Sequence, residues 1–386
     1  MLQLPPLSLY IHFPWCIQKC PYCDFNSHTL KTDLPEKIYI KQLLADLEAD
    51  LAYIQQRAIQ SIFLGGGTPS LFSPTAIHDL LQALKQRLSF TENIEITLEA
   101  NPGTVEQGHF QGYFAAGINR LSLGIQSLND LHLKTLGRIH NGQTASQAIE
   151  KAYNAGFNNV NLDLMFGLPQ QTIAQALDDL AAVISFAPAH ISWYQLTLEP
   201  NTLFFKYPPV LPKHDDIARM HSLGIELLQQ SHFQQYEVSA FSKARQYCQH
   251  NLNYWRYGDY LGIGAGAHSK ITLVDENKIV RLLKFKQPKT YLDATDDFIQ
   301  KTEFIPVNER IFEFMLNALR LFETIKISDF EDYSGVSVKT VLPTLQRAAA
   351  KQLLIFNDET IRTTTLGKQF LNDLIEMFLS PQATKC

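Results

Sequence analysis

The chain has 386 residues, of which 45% are hydrophobic and 18% charged, enough apolar material for one large and one small domain or for two to three modest ones. Its net charge of −5 argues against a general nucleic-acid binder, which needs a basic face. The first residues lack the features of a secretory signal, and no apolar run is long enough to span a bilayer. We therefore predict a cytoplasmic protein.

Six units, each an apolar run followed by a periodic apolar segment, make up the sequence as far as residue 231. The runs predict strands and the periodic segments predict helices. The predicted strands lie at 8–14, 61–67, 94–102, 120–127, 159–169 and 190–200, and the predicted helices at 34–57, 74–88, 104–116, 143–155, 171–186 and 213–231. This alternation predicts an α/β fold with parallel strands, either an open doubly wound sheet or a partial barrel.

The pattern changes after residue 232. Residues 233–300 are rich in Tyr, Gly and short apolar runs, and we predict a connecting region there. Residues 301–386 predict a smaller, mainly helical C-terminal domain of winged-helix type, with a short strand-forming stretch at 353–364. The first domain would then cover residues 1–232.

Three of the five cysteines follow the first predicted strand directly, as Cys16, Cys20 and Cys23. A crowded, odd-numbered set is a poor disulfide framework and a good metal site. Thiolates are the usual ligands of iron–sulfur clusters, and three of them on four irons leave one iron open. The alternatives are a zinc site completed by His12 or His28, or three unrelated buried cysteines.

Unusual residues also occur at or just beyond the ends of later strands. The segment GGGTPS (65–70) would let the backbone approach a ligand closely, or form a tight turn. Carboxylates and a guanidinium can bind ribose hydroxyls, cationic groups or a carboxylate, although each alone is commonly a solvated or capping charge. Because parallel strands end at one edge, we predict a single ligand site. Glu99, Gln126 and Asp163 are the residues at these strand ends, and Arg138 occurs between the fourth and fifth predicted strands.

The cysteine spacing, with Tyr22 before the last cysteine, resembles the radical S-adenosylmethionine (SAM) superfamily. The strings YIHFPWC, LEANP, LGIQS, LGRIH and LDLMFGLPQ resemble the oxygen-independent coproporphyrinogen III oxidase family over residues 7–320. This resemblance implies a partial (β/α)6 barrel, a [4Fe–4S] cluster on the three cysteines, and SAM chelated to the open iron. The SAM-contacting positions that it implies are Tyr10, Tyr22, Gly66, Gly67, Thr68, Glu99, Gln126, Arg138 and Asp163.

Three features favour the heme-chaperone branch of this family over the true oxidases. The oxidases have a fourth cysteine two residues after the third, where this chain has Phe25. They also have a longer segment before the position of Tyr10. Residues 250–255, HNLNYW, are similar to the HNxxYW signature of the radical SAM heme chaperones. We therefore predict that coproporphyrinogen oxidation is absent, and we assign no catalytic residue.

The HNLNYW segment has two interpretations. His250 is a candidate axial ligand of heme iron, with Tyr254, Trp255 and Tyr257 packed on the porphyrin, and Cys248 is a second candidate ligand. The alternative is a capped turn with ordinary core aromatics. The nearby GIGAGAH (262–268) would bring backbone close to a ligand, or form a glycine-rich bulge.

The favoured interpretation is a cluster- and SAM-binding heme chaperone that delivers heme to an acceptor, for which the family suggests respiratory-chain hemoproteins. The alternative is a coproporphyrinogen III dehydrogenase in porphyrin biosynthesis, which makes protoporphyrinogen IX by oxidative decarboxylation. A third is a radical SAM enzyme that acts on another substrate. A homodimer and a peripheral membrane contact are compatible with the sequence.

Overall fold

A computed structural model describes residues 1–104, 109–243 and 245–379 of the chain. The strands are β1 (Leu7–Phe13), β2 (Trp15–Cys16), β3 (His28–Thr29), β4 (Ile59–Gly66), β5 (Phe90–Ala100), β6 (Arg120–Gln126), β7 (Val160–Phe166), β8 (His190–Gln195), β9 (Gln234–Gln235), β10 (Ala240–Ser242), β11 (Asp259–Ile263), β12 (His268–Leu273), β13 (Lys278–Lys284), β14 (Ile299–Phe304), β15 (Ile325–Lys326), β16 (Leu354–Phe356) and β17 (Thr360–Thr363). The helices are α1 (Glu36–Asp50), α2 (Pro74–Arg87), α3 (His109–Ala116), α4 (Asp130–Thr135), α5 (Gly142–Asn154), α6 (Ile173–Ser185), α7 (Leu203–Lys206), α8 (His214–Gln230), α9 (Gln249–Trp255), α10 (Pro288–Asp293), α11 (Val307–Ala318), α12 (Ile327–Ser334), α13 (Leu342–Ala350), α14 (Thr365–Gln369) and α15 (Leu371–Glu376).

Six parallel strands form the centre of the main sheet, in the order β1-β4-β5-β6-β7-β8. This confirms the predicted α/β fold and the partial (β/α)6 barrel, which stays open. Successive side chains of a strand point to opposite faces of the sheet, so one set packs against the helices and the other faces the barrel interior. In β1, Leu9 and Ile11 join the core shared with the helices, whereas Tyr10 and His12 face a cavity.

The strands of residues 233–300 extend this sheet at both edges. Strand β11 pairs with β1 in parallel, and β12, β13 and β14 follow it in antiparallel order. At the other edge β10 pairs with β8, and β9 with β10. Within the described residues the sheet has 12 strands. The sequence did not predict these strands, because they do not follow the strand–helix alternation on which the prediction rested.

Other element boundaries shift modestly from the prediction. The helix predicted over 34–57 ends at Asp50 and continues as a 3-10 turn, after which Gln55 has a left-handed backbone. Part of the helix predicted over 104–116 lies outside the described residues, and α3 begins at His109. Ser73 caps α2 by accepting a hydrogen bond from the Ala76 amide at 3.2 Å.

The C-terminal part has its own hydrophobic core and is mainly helical, as predicted. Its elements follow the order helix, strand, helix, helix, strand, strand, from α11 to β17, and its sheet has the order β15-β17-β16. Leu2 and Tyr257, which precede this part in the chain, pack into the same core. Among the residues that the structure describes, no helix combines the length and the apolar character needed to cross a bilayer.

Candidate functional site

The carboxyl ends of the parallel strands and the cysteine loop enclose a cavity of about 300 Å³. All predicted cluster and SAM residues except Tyr10 line this cavity, which we call the cluster cavity. Tyr10 faces a neighbouring cavity. The predicted residues that line the cluster cavity are Cys16, Cys20, Tyr22, Cys23, Gly66, Gly67, Thr68, Glu99, Gln126, Arg138 and Asp163.

The cysteine loop is closed by a short pairing of β2 with β3, in which Cys16 lies opposite Thr29. Within the loop the Cys23 amide donates to the Cys20 carbonyl at 3.2 Å. Burial raises the pKa of the Cys16 and Cys23 thiols, so that these groups are neutral without a metal. A bound metal group would offset this cost, since it favours the thiolate.

The two histidines that could complete a zinc site are already hydrogen-bonded. His12 Nδ1 lies 3.0 Å from the Tyr10 hydroxyl and its Nε2 lies 2.8 Å from the Asn26 carbonyl oxygen. His28 Nε2 lies 3.3 Å from Asn26 Oδ1. Over the described ranges, no three Cys, His, Asp or Glu side chains converge closely enough for a single ion. The donor set of three thiols around one cavity fits a cluster with an open iron.

Two glycines bring β4 against the chain that leads into the cysteine loop. Gly66 has φ +112°, and a Cβ there would lie 2.5 Å from His12 Cε1. A Cβ on Gly67 would lie 2.6 Å from the Trp15 carbonyl oxygen. Both distances are shorter than the closest approach of a Cβ atom to a non-bonded heavy atom. The close approach therefore requires glycine, and the Gly66 amide donates to Glu99 Oε2 at 3.1 Å.

Two carboxyl groups, those of Glu99 and Asp163, line the cluster cavity. Asp163 accepts hydrogen bonds from the Ser122 hydroxyl and the Asn161 amide, both at 2.9 Å. Burial raises the pKa of Asp163. Burial, and then the neighbouring charge of Asp163, raise the pKa of Glu99 to about 8. The pair is therefore suited to ligand hydroxyls or to a cationic ligand that restores both charges.

The Glu99 carboxyl predicts a pH dependence of stability. Between about pH 5 and about pH 8 the folded, ligand-free protein keeps a proton that the unfolded chain has lost, so the free energy of unfolding should fall as pH rises. Glu99→Gln does not titrate and should flatten this slope. Urea unfolding at several pH values measures both proteins. Equal slopes for the two would contradict the assignment.

Arg138 joins the cysteine loop to the rim of β6. Its Nη2 donates to Asn101 Oδ1 at 2.7 Å and to the Gly124 carbonyl at 2.8 Å, and its Nη1 lies 3.5 Å from Cys20 Sγ. Its Nε is buried without a hydrogen-bond partner in the described part of the chain. A ligand carboxylate in the cavity would supply that partner.

Gln126 and Tyr194 form a second part of the rim. Gln126 has φ +68° at the end of β6, and its Oε1 accepts a hydrogen bond from the Tyr194 hydroxyl at 2.8 Å. Tyr194 was not predicted from the sequence. The predicted sixth strand, 190–200, contains Tyr194 in its first half, whereas the observed strand β8 ends at Gln195, so nothing in the sequence indicated that Tyr194 lies at the rim.

The HNLNYW segment forms α9, and His250 is only 2% exposed. Its Nδ1 lies 3.0 Å from the Ser61 hydroxyl, and its ring packs 5.0 Å from the Phe63 ring centre. His250 Nε2 is buried without a partner among the described residues. The side chain lines neither the cluster cavity nor the cavity beside it. Its assignment as the heme ligand stays a prediction.

A chain of buried hydrogen bonds, missed from the sequence, connects α9 to Asp163. The Cys248 amide donates to the Tyr236 hydroxyl at 3.3 Å, which lies 2.8 Å from His190 Nε2. His190 Nδ1 lies 2.6 Å from Asn161 Oδ1, and the Asn161 amide donates to Asp163. Buried polar groups need such partners. The polar network therefore fixes Asn161, which in turn orients the Asp163 carboxyl group.

A second cavity of about 560 Å³ lies beside the cluster cavity. The two cavities share the lining residues Lys19, Cys23, Phe25 and Ser27. A further cavity, of about 620 Å³, lies between the end of α8 and the C-terminal part, and no predicted site residue lines it.

Comparison with known families agrees with this geometry. The model of the Radical SAM superfamily matches residues 10–183, and the model of the HemN C-terminal domain matches residues 305–370. The solved structure of coproporphyrinogen III oxidase HemN from Escherichia coli superposes with a TM-score of 0.81 at 21% identity, over 97% of this chain and 90% of that one. The fold and the site thus define a radical SAM protein.

Two full-length relatives narrow the class. The chain is 51% identical to the heme chaperone HemW of Haemophilus influenzae, over 99% of this chain and all of that one. It is 47% identical to the heme chaperone HemW of E. coli, over 98% of this chain and all of that one. The chain belongs to the HemW family.

Proposed function

We propose that the protein is a heme chaperone, which binds heme beside a SAM-binding [4Fe–4S] centre and transfers it to an acceptor protein. The observation that carries the proposal is the 51% identity, along the whole chain, to a protein named as a heme chaperone. The second cavity next to the cluster cavity supports it, because it offers room for a cargo separate from SAM.

The residues around the cluster cavity have distinct roles in this proposal. Cys16, Cys20 and Cys23 hold the cluster, which when bound supplies an open iron for SAM and an electron for its cleavage. The backbone of the glycine segment lies where it can bind the methionyl amino group. Arg138 Nε can pair with a carboxylate, and the Asp163 carboxyl can accept from ribose hydroxyls.

The position of Phe25 supports the chaperone over the oxidase. The oxidases have a fourth cysteine in this place, whereas the Phe25 ring is 61% exposed and lines both cavities. An exposed aromatic ring offers a flat apolar surface and no thiol. Phe25 can therefore pack against the flat face of a macrocycle, but it cannot replace the thiol of the oxidases' fourth cysteine.

Heme and coproporphyrinogen III, offered to the same cluster-loaded protein, separate the two functions. We expect the protein to bind about one heme per chain through a ligand of its own, and to form no protoporphyrinogen IX when SAM and a reductant are added. Absorption spectroscopy measures heme binding, and fluorescence after oxidation measures protoporphyrin. Steady formation of protoporphyrinogen IX would refute the chaperone proposal. The HemN oxidase, run in parallel, is the positive control.

We further propose the cytoplasm as the compartment and a hemoprotein of the respiratory chain as the acceptor. The family resemblance supports these two assignments. Transfer of labelled heme from the loaded protein to apo-hemoproteins in solution tests the acceptor directly.

A further inference from the structure

We propose that the heme cargo binds in the second cavity and that His268 supplies an axial ligand to its iron. The inference rests on the proposed chaperone function and adds the place and the ligand of the cargo. The cavity volume of about 560 Å³ is within the range of sites that enclose cofactors. His268, at the start of β12, faces this cavity and is exposed.

Aromatic rings in the second cavity match the flat faces of a porphyrin. Tyr254 and Tyr260 lie with ring centres 4.3 Å apart on its wall. Phe25 adds an exposed ring from the cysteine loop. The faces of such rings are apolar and can stack on an extended π-system without forming hydrogen bonds. Tyr254 belongs to HNLNYW, so this segment contributes to the proposed site through its tyrosine.

Charged groups at the cavity favour a ligand with two carboxylates. The ammonium groups of Lys19 and Lys286 line it, against the single carboxylate of Asp24 among the described lining residues. Lys19 Nζ is held at 3.1 Å from the Phe25 carbonyl and at 3.3 Å from the Ser27 carbonyl. Lys286 is exposed, so its ammonium group can turn towards a propionate.

Among the imidazoles of described residues that line the cavity, His268 is the one in which both ring nitrogens lack a hydrogen-bond partner. Both nitrogens of His12 are engaged, with the Tyr10 hydroxyl and the Asn26 carbonyl. His28 Nε2 lies against the Asn26 side chain at 3.3 Å. Neither ring nitrogen of His268 has a hydrogen bond to any described residue. The exposed ring is still partly shielded from solvent by its neighbours. This partial burial, and then the charges of Lys286 and Arg281, lower its pKa, so it is neutral and able to coordinate iron near pH 7.

His250 lacks the access that an axial ligand needs. Its Nε2 is enclosed, and its Nδ1 is held by Ser61 on β4. Coordination would require α9 to leave its place against β4, together with the buried contacts of Cys248 and Glu95. His268 needs no such rearrangement, since its ring is already exposed.

The proposed site touches the cysteine loop directly. Asn26 Nδ2 donates to the carbonyls of Ala265 and Lys286, each at 2.9 Å, and thereby fixes the loop to the segment before His268 and to the residues just after β13. A Cβ on Gly266 would lie 2.2 Å from Asn26 Nδ2, so glycine is required there. Heme on His268 would therefore lie against the loop that carries Cys23.

Heme titration of the full-length, cluster-loaded protein tests the proposal, with hemin as the probe. His268→Ala removes an exposed side chain and should weaken binding at least about tenfold, the smallest loss typical of residues around metal sites. Its absorption and electron paramagnetic resonance spectra should lose the wild-type axial signature, and free imidazole should restore it. Iron content and the effect of SAM on the cluster signal should stay unchanged.

His250→Asn is the matched variant, because it removes an imidazole but keeps a polar group where Nδ1 meets Ser61. We expect its heme spectrum to equal that of the wild type. A wild-type affinity and spectrum for His268→Ala would overturn the inference, as would loss of the axial signature in His250→Asn alone. Failure of the wild-type protein to bind heme would instead overturn the proposed function itself.

Discussion

Serine in place of Cys16, Cys20 or Cys23 should abolish cluster assembly. An alkoxide is a poor ligand for iron–sulfur clusters. Among the described residues three thiols surround the cavity, so the loss of one leaves too few ligands. The wild-type protein should contain about four irons per chain after anaerobic reconstitution. Its broad visible absorption should bleach with dithionite. Iron analysis and absorption spectra of each variant provide the measurement.

Cys248→Ser is the control for these variants. Cys248 is fully buried, its thiol lies 3.6 Å from Glu95 Oε1, and it lines neither the cluster cavity nor the second cavity. Serine fits this position and can make the same hydrogen bond, so the cluster should assemble normally. Cys386 lies outside the described residues. Tightly bound zinc without iron, or a full cluster in any of the three loop variants, would show that the cluster assignment is wrong.

Gly66→Ala should have the second large effect, on both stability and SAM binding. The added Cβ would lie 2.5 Å from a ring atom of His12, and that ring cannot move freely because both its nitrogens are hydrogen-bonded. The φ of +112° adds backbone strain. We expect the free energy of unfolding to fall by several kcal/mol, as about 1–3 kcal/mol each from strain and from overpacking. Denaturant unfolding and SAM titration measure the two effects.

Gly117→Ala separates the effect of backbone strain from the effect of crowding against His12. Gly117 has nearly the same φ, +108°, but nothing lies within 4 Å of the position that an added methyl group would occupy. This variant should show only the backbone cost of about 1–3 kcal/mol and should bind SAM normally. An equal loss of stability in the two variants would contradict the crowding at His12. Normal SAM binding by Gly66→Ala would contradict the role of the glycine segment.

The polar network beneath Asp163 gives the HNLNYW helix a structural role besides any part in heme binding. The His250 amide and the Cys248 thiol donate hydrogen bonds to Glu95. Tyr236 and His190 continue the hydrogen bonds towards Asp163 in the cluster cavity. Substitutions in α9 that break these hydrogen bonds are therefore expected to act on the barrel interior, whereas substitution of Tyr254 is expected to act on the second cavity. When heme binding is measured for a variant in α9, cluster content and SAM binding should therefore be measured for the same variant.

The sequence alone determined the class of fold and the meeting of the cysteine loop with the carboxylates in the cluster cavity. Six apolar runs with helices between them predict parallel strands, and parallel strands end at one edge. Residues at the ends of those runs, such as Glu99 and Asp163, therefore had to converge with the cysteine loop. The resemblance to a family then gave the chemistry of SAM, which neither periodicity nor spacing contains.

Only the tertiary structure decided how the region after residue 232 joins this site. The pairing of β11 with β1 joins residues about 250 positions apart, and local periodicity carries no record of such a contact. That pairing places His268 and Lys286 opposite Phe25 and creates the second cavity. It also buries His250 behind Tyr10, with ring centres 6.3 Å apart. A motif shows which residue types are present, whereas packing decides which of them a ligand can reach.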